Sequence, residues 1–334
     1  MRREEIEKIH YSEEIGQLGH RLGFWYRCLK VLGESTAFRF GRNSRDGHLN
    51  WSVYDHENYD GLAGLKDYLK DQFNHDLEIP NLRSDWKAPS FFKKFIGAWK
   101  YQTSRELPFI EWKNRNLESD LTSSNPDKNT FTMVFSPDES KAFLIGLKSH
   151  NINFNAWCMR KFTDFLLENF LTSNVKHALW QFPVNMRGHV EKIEGEENQS
   201  SYVDVVVYED YTPEKIREEM IRKFESKEHW YVWYGARLIP KIGGEKAFGA
   251  VKDHILNGGP PYIGNFSNLG SFQVPGCQEA IYLSTPATRV RPIGFGTLSV
   301  NDWLTFTLSF HETLPLPSNF KEDWAKFRET LVNV

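Results

Sequence analysis

Apolar and polar positions along this chain follow two periods, which predict strands and helices in turn. Residues 304–310 carry an apolar side chain at every second position with Thr or Ser between, which predicts a half-buried strand. Residues 48–54 and 202–208 predict two further strands. Apolar spacing of three and four predicts helices in four ranges: 15–29, 62–73, 216–224 and 320–331. Interspersed strands and helices favour a mixed α/β or α+β class.

A β-hairpin is predicted in the middle of the chain. Apolar residues at alternate positions over 131–135 predict its first strand, and the sequence Ser-Pro-Asp-Glu at 136–139 is typical of a turn. The apolar run at 142–147 predicts the return strand, and a helix face over 162–170 follows it. We therefore expect a strand that ends just before residue 149 and a helix that begins soon after it.

The composition is that of a soluble globular protein, because 40% of the residues are hydrophobic, 25% are charged and the formal net charge is −3. Scattered basic residues give no support to nucleic-acid binding, and no apolar stretch is long enough to span a membrane. No apolar segment near the start indicates a secretion signal. The three cysteines, Cys28, Cys158 and Cys277, favour reduced thiols and no structural zinc. We expect a cytoplasmic protein with no bound cofactor and no metal.

Common catalytic motifs are absent from the sequence: it has no phosphate loop, no dinucleotide fingerprint, no HExxH and no GxSxG. Three short segments stand out instead: 149–156 (Ser-His-Asn-Ile-Asn-Phe-Asn-Ala), 182–188 (Phe-Pro-Val-Asn-Met-Arg-Gly) and 265–270 (Asn-Phe-Ser-Asn-Leu-Gly). Polar loops at the ends of strands often carry functional groups. Each segment by itself also fits an ordinary turn.

Taken in order, the three segments resemble the acyl-thioester-dependent acyltransferase superfamily. It includes chloramphenicol acetyltransferase, wax ester synthases, alcohol acetyltransferases and the condensation domains of peptide synthetases. In that family a strand ends in an HHxxxDG motif that opens a helix, and PVNLR-like and SNxG-like segments follow. The resemblance covers roughly residues 130–334. Its matched positions are His150, Asn151, Asn155 and Ala156 for the first motif, Pro183, Val184, Asn185, Met186 and Arg187 for the second, and Ser267, Asn268 and Gly270 for the third.

The first motif departs from the family pattern at its most telling positions. The resemblance implies that the second His takes a proton from the acceptor, and that the Asp holds the loop through an ion pair with an Arg. Here Asn151 stands for that His and Asn155 for the Asp, and an amide has no accessible basic form. A register with His150 as the base places Phe154 where the Asp belongs, which leaves the loop without a polar partner. The usual mechanism is therefore not expected.

Most of the remaining candidate residues have an ordinary structural interpretation. The remaining histidines, His56 among them, are interpreted as surface or core residues, and Cys158 as a packing residue. The alternation Thr-Arg-Val-Arg at 288–291 predicts two exposed arginines on a strand. The resemblance implies that Ser267 and Asn268 lie near the thioester and stabilise an oxyanion, although a turn between strands explains them equally well. Five aromatic residues in or beside the segments are candidates to line a pocket: Phe154, Trp157, Phe182, Tyr262 and Phe266.

These observations predict two chloramphenicol-acetyltransferase-like halves, residues 1–180 and 181–334, with mixed sheets flanked by helices and a cleft or tunnel between them. The expected function is divergent acyl transfer from a CoA or pantetheine thioester to a small-molecule acceptor. The alternative is a non-catalytic relative that binds a small ligand or a protein partner. Whether the chain is an enzyme stays open between the two. The assignment requires His150 and Ser267 to face one cleft.

Overall fold

The computed structural model of the protein describes residues 3–12, 15, 23–43, 48–82, 86–103, 109–117, 129–190, 197–257 and 262–334. The strands are β1 (Ala37–Asn43), β2 (Leu49–Asp55), β3 (Thr130–Phe135), β4 (His177–Asn185), β5 (Ser200–Tyr208), β6 (Gly264–Phe272), β7 (Ile281–Ser284), β8 (Ile293–Val300) and β9 (Trp303–Phe310). The helices are α1 (Arg3–Glu7), α2 (Gly23–Val31), α3 (Gly61–Phe73), α4 (Phe91–Thr103), α5 (Pro137–Ser149), α6 (Phe154–Phe170), α7 (Pro213–Glu225), α8 (Glu228–Leu256), which is kinked at Gly243, and α9 (Phe320–Val332).

A six-stranded mixed sheet in the order β3-β9-β8-β6-β4-β5 forms the larger part of the fold. The pairs β4–β6 and β6–β8 are parallel, and β3–β9, β8–β9 and β4–β5 are antiparallel. The strand predicted at 304–310 is β9, but both of its faces are buried. Thr305 and Thr307 are fully buried, and the Thr305 hydroxyl donates to the Ile281 carbonyl at 2.7 Å, because β7 packs over that face.

A smaller antiparallel sheet has the order β2-β1-β7. Its third strand comes from far along the chain, with Phe40 of β1 paired to Leu283 of β7. Pairing strands so distant in sequence ties the first quarter of the chain to the last, and it sets the walls around the site described below.

Aromatic side chains fill the core between the six-stranded sheet and helices α6 and α9. Phe162 of α6 lies 4.4 Å between ring centroids from Phe295 of β8 and 4.8 Å from Phe327 of α9, both edge-on. Edge-on contacts at this distance are favourable for aromatic pairs. Aromatic residues make up 15% of the chain, and many of them are accounted for by packing in this core.

The predicted hairpin is wrong, because residues 137–149 form helix α5. The Ser136 hydroxyl oxygen accepts from the Glu139 backbone N–H, and the Glu139 carboxylate accepts from the Ser136 backbone N–H. This capping box, with Pro137 in the first turn, starts a helix where a turn was expected. Residues 142–147 are thus one helix, not a return strand, with Phe143 buried and Ile145 57% exposed.

Several other predicted strands and helices are present in the structure. Strands β2, β5 and β9 and helices α3, α7 and α9 confirm the predicted elements. Part of the N-terminal helix predicted at 15–29 lies outside the described residues. No helix in the described ranges has the length and hydropathy needed to cross a membrane. The division at residue 180 stays a prediction, although β4 runs across it and β3 shares a sheet with β9.

Candidate functional site

A cavity of about 420 Å³ lies where the two sheets approach each other, with residues of α2, the β2–α3 connection, β4, β5, β6 and the β7–β8 connection in its wall. Its lining is rich in aromatic and polar side chains: Trp25, Tyr26, Phe38, His56, Asp60, Arg187, Tyr202, Trp233, Tyr262, Ser267, Asn268 and Arg291. This volume suits a small organic molecule. Among the described residues no three His, Cys, Asp or Glu side chains converge as they would around a metal ion.

His56 lies in this cavity directly after β2. Its Nδ1 is 3.0 Å from the Tyr59 carbonyl oxygen. A carbonyl oxygen only accepts, so Nδ1 carries the proton and the lone pair is on Nε2. The ring stacks on Tyr26, with ring centroids 5.3 Å apart and planes 13° apart, and Phe38 contacts it at 4.6 Å. The imidazole is therefore held in one orientation with its basic nitrogen available.

The pKa of His56 is lowered to about 4, mainly by burial and to a smaller extent by the positive charge of Arg291, against the opposing effects of the Tyr59 carbonyl and Asp60. Because this pKa lies below neutrality, the imidazole is neutral at physiological pH. A neutral imidazole is the form that accepts a proton.

Asp60 is buried and serves as a structural anchor for the same connection. Its Oδ1 accepts from the backbone N–H groups of Leu62 and Ala63 at 3.1 and 3.0 Å, which caps helix α3. Its Oδ2 accepts from the Gln199 backbone N–H at 2.7 Å and lies 2.7 Å from Arg187 Nη1. With its oxygens occupied in this way, Asp60 positions the loop rather than a substrate.

Arg187 links that carboxylate to the segment predicted at 182–188. Its Nη2 donates to the Glu197 carbonyl at 2.7 Å, and its backbone N–H donates to Asn185 Oδ1 at 3.1 Å. Arg187 thereby ties its segment to the Asp60 carboxylate as well as to a backbone carbonyl. The partner is a residue far earlier in the chain.

The spacing His56-x-x-x-Asp60-Gly61 reproduces the second His, the Asp and the Gly of the HHxxxDG motif, with Asp55 in the place of the first His. It follows a strand and opens a helix, as that motif does in the family described above. A Cβ on Gly61 would meet Leu269 Cδ2 at 2.8 Å, so a larger residue would push against the third segment. This segment was not among the predicted site residues, although it lies between a strand and a helix that were both predicted.

The structure places the earlier candidates differently. His150 is exposed at the end of α5, where its Nδ1 lies 3.0 Å from the Gly146 carbonyl, and Asn151 is exposed with φ 56°. Neither lines the cavity, whereas Ser267 does. The requirement that His150 and Ser267 face one cleft is not met, because residues 150–153 join helices α5 and α6 rather than following a strand.

Asn155 and Asn268 contact each other, with Asn268 Nδ2 donating to Asn155 Oδ1 at 2.6 Å. Asn268 Oδ1 also accepts from the Gly270 N–H at 2.9 Å, at a break in the β6–β8 register. Both polar ends of Asn268 are thus used to shape strand β6. Ser267, beside it, lines the cavity.

The aromatic candidates divide in the same way. Tyr262 lines the cavity, but Phe154, Trp157, Phe182 and Phe266 pack in or against the main core. Cys158 is buried, and burial raises the pKa of its thiol well above the usual value, which fits the packing role expected for it.

The sequence matches no family model and no curated protein, so solved structures provide the comparison. Over 84% of its length the chain resembles the EpoB NRPS cyclization-docking bidomain from Sorangium cellulosum, at 10% identity and TM-score 0.50, and it covers 59% of that chain. The wax ester synthase/diacylglycerol acyltransferase from Marinobacter aquaeolei VT8 matches at 13% identity and TM-score 0.46, with 84% of this chain and 66% of that chain covered. The trichothecene 15-O-acetyltransferase from Fusarium sporotrichioides matches at 11% identity and TM-score 0.42, with 93% of this chain and 74% of that chain covered.

At sequence identities near 10%, these comparisons show a similarity of fold alone. The chain has a mixed α/β fold with sheets flanked by helices, similar to that of the cyclization-docking bidomain, as the resemblance implied. It spans 64 to 69% of the length of the condensation domains that it matches.

Proposed function

We propose that the protein transfers an acyl group from a thioester to a hydroxyl or amine, with His56 as the general base. The observation that carries this proposal is the placement of His56: a neutral imidazole with a free Nε2, in a cavity, at the end of a strand. The Asp60–Arg187 ion pair supports the same proposal, because it holds the β2–α3 connection on which His56 lies.

The reaction needs one proton to move twice. Nε2 of His56 takes the proton from the acceptor O–H or N–H as that atom attacks the thioester carbonyl carbon. The tetrahedral intermediate then collapses, the C–S bond breaks, and the imidazolium returns the proton to the leaving thiolate. The hydroxyl of Ser267, which lines the cavity, is the donor we assign to the developing oxyanion. A CoA or pantetheine thioester is the donor that the family resemblance implies.

This proposal replaces the hypothesis of a divergent acyltransferase in which Asn151 and Asn155 stand in place of the usual His base and Asp. That hypothesis arose from assigning the motif to 150–156, and assigning it to 55–61 supplies a histidine, an aspartate and a glycine at the right spacing. The alternative of a non-catalytic binding protein makes a separate prediction: acyl-thioester binding without thiol release.

The test compares two histidine variants. Free thiol is measured after mixing the protein with acyl-CoAs of different chain length and a panel of alcohols and amines. We expect His56→Gln to lower the rate by about 10²- to 10⁴-fold, the usual value of a general base, and exposed His150→Gln to leave it unchanged. Loss of activity in His150→Gln alone would refute the assignment. A thermal shift with acyl-CoA but no thiol release by the unmodified protein would favour the binding alternative.

A further inference from the structure

The β7–β8 connection brings a second arginine into the cavity. Residues 288–291 form a turn, with the Thr288 N–H donating to the Arg291 carbonyl at 2.9 Å and the Arg291 N–H returning to the Thr288 carbonyl at 3.1 Å. The prediction of two exposed arginines on a strand is wrong here, because the turn sends the two side chains to different surroundings. Arg289 is 2% exposed beside Glu34, and Arg291 lines the cavity.

Charge balance sets Arg291 apart from the other cations near the site. Arg187 lies against Asp60, at 2.7 Å, and Arg289 lies 3.5 Å from Glu34. The Arg291 guanidinium donates to the Gln181 side-chain oxygen, a neutral acceptor. Within the described part of the chain no carboxylate forms an ion pair with it. Arg291 is only partly exposed, and a guanidinium partly withdrawn from water without a counter-ion favours an anion, so the cavity favours an anion here.

On this basis, and resting on the function proposed above, we propose that Arg291 binds the carboxylate of the acyl acceptor. A planar guanidinium matches a carboxylate in a two-point contact. The acceptor class is a small hydroxy or amino acid whose apolar, flat body packs against the aromatic wall formed by Tyr26, Trp233 and Tyr262.

The position of Arg291 relative to the base assigns the anion to the acceptor rather than to the donor. The positive charge of Arg291 lowers the pKa of His56, in the same direction as burial. It also lowers the pKa of Tyr26, whereas burial raises that pKa. Arg291 and His56 line the same cavity, so an anion bound at Arg291 shares that cavity with the base and the acceptor. In a CoA thioester a long uncharged arm separates the reacting carbonyl from the phosphates, so these anions lie far from Arg291 when the carbonyl is at His56.

The experiment uses the full chain, acetyl-CoA and matched acceptors: 3-(4-hydroxyphenyl)propanoate and its methyl ester, and phenylalanine and its methyl ester. We expect the acids to be preferred. Arg291→Gln should lower kcat/KM for the acids by about 10- to 100-fold, mainly through KM, and leave the esters unchanged. Arg222→Gln, which removes an exposed arginine of α7 with 64% side-chain exposure, is the charge-matched control.

Three outcomes overturn the proposal. Preference for the esters would exclude a carboxylate site. An equal loss for acid and ester would place Arg291 on the oxyanion or in the structure, and a raised KM for acetyl-CoA alone would place the anion on the donor. Calorimetric binding of 3-(4-hydroxyphenyl)propanoate separates this inference from the proposed function. Binding that depends on Arg291 in a protein without turnover supports the carboxylate site and refutes catalysis, and turnover that is insensitive to Arg291→Gln refutes the carboxylate site alone.

Discussion

Replacing Asp60 with Asn tests whether the β2–α3 connection is held by charge. The substitution keeps an oxygen to cap helix α3, because Asn caps as well as Asp. It removes the negative charge that lies 2.7 Å from Arg187 Nη1, with the two side chains 5% and 12% exposed. Arg187 would then be a nearly buried cation with only carbonyl and amide acceptors.

The expected loss follows from that burial. Removing one partner of a buried ion pair costs about 3 to 5 kcal/mol, and we expect the lower end, about 3 kcal/mol, because the cap remains. Asp60→Ala should cost about 1 kcal/mol more, since the cap is lost as well. The double variant Asp60→Asn with Arg187→Met should lose less than the sum of the two single losses, because no unpaired charge is left.

Urea unfolding followed by tryptophan fluorescence and far-UV circular dichroism measures these free energies. Asp210→Asn is the matched control, because that carboxylate is 71% exposed and 3.7 Å from Lys215 Nζ. It should change stability by less than about 0.5 kcal/mol. An Asp60→Asn variant as stable as this control, or additive losses in the double variant, would refute the reasoning that the pair anchors the connection.

Three further predictions concern acidity, helix formation and packing. Protonation of His56 removes the lone pair of the proposed base. We therefore expect kcat/KM to stay constant from about pH 8 down to about pH 6 and to fall only near the pKa of His56, about 4. A fall in kcat/KM centred near pH 6.5 would contradict this. Ser136→Ala should lower the unfolding free energy by about 1 kcal/mol by removing the capping box, and no change in urea unfolding would argue against it. Gly296→Ala should destabilise by about 1 to 3 kcal/mol, since its Cβ would meet the Leu283 carbonyl oxygen at 2.2 Å; an unchanged melting temperature would contradict that close approach.

Much of the secondary structure was predictable, because periodicity is a local property. Strands β2 and β5 and helix α3 follow directly from the spacing of apolar residues. The error at 136–147 was local as well. Ser-x-x-Glu with Pro in the first turn is a helix start, and it outweighs the apolar run that was interpreted as a strand.

The candidate site was only partly predictable. The segments at 182–188 and 265–270 contribute Arg187 and Ser267 to the cavity wall. The first motif was assigned to 150–156, where two adjacent polar residues imitate it, whereas His56 was interpreted as a surface or core residue and the match at 55–61, with Asp55 in the place of the first His, was missed. The segment 150–156 resembled the motif because a strand, wrongly predicted at 142–147, was expected to end just before it.

By itself the sequence determined the class of the fold, most of its strands and helices, and the residue types available for acyl transfer. Only the tertiary structure decided that Asp60 meets Arg187, that β7 pairs with β1, and that His56 shares a cavity with Ser267 while His150 does not. The physical reason is that a hydrophobic pattern tells which face of an element is buried but not what covers it. Pairings between distant strands, which bring these residues together, leave no local pattern in a single chain.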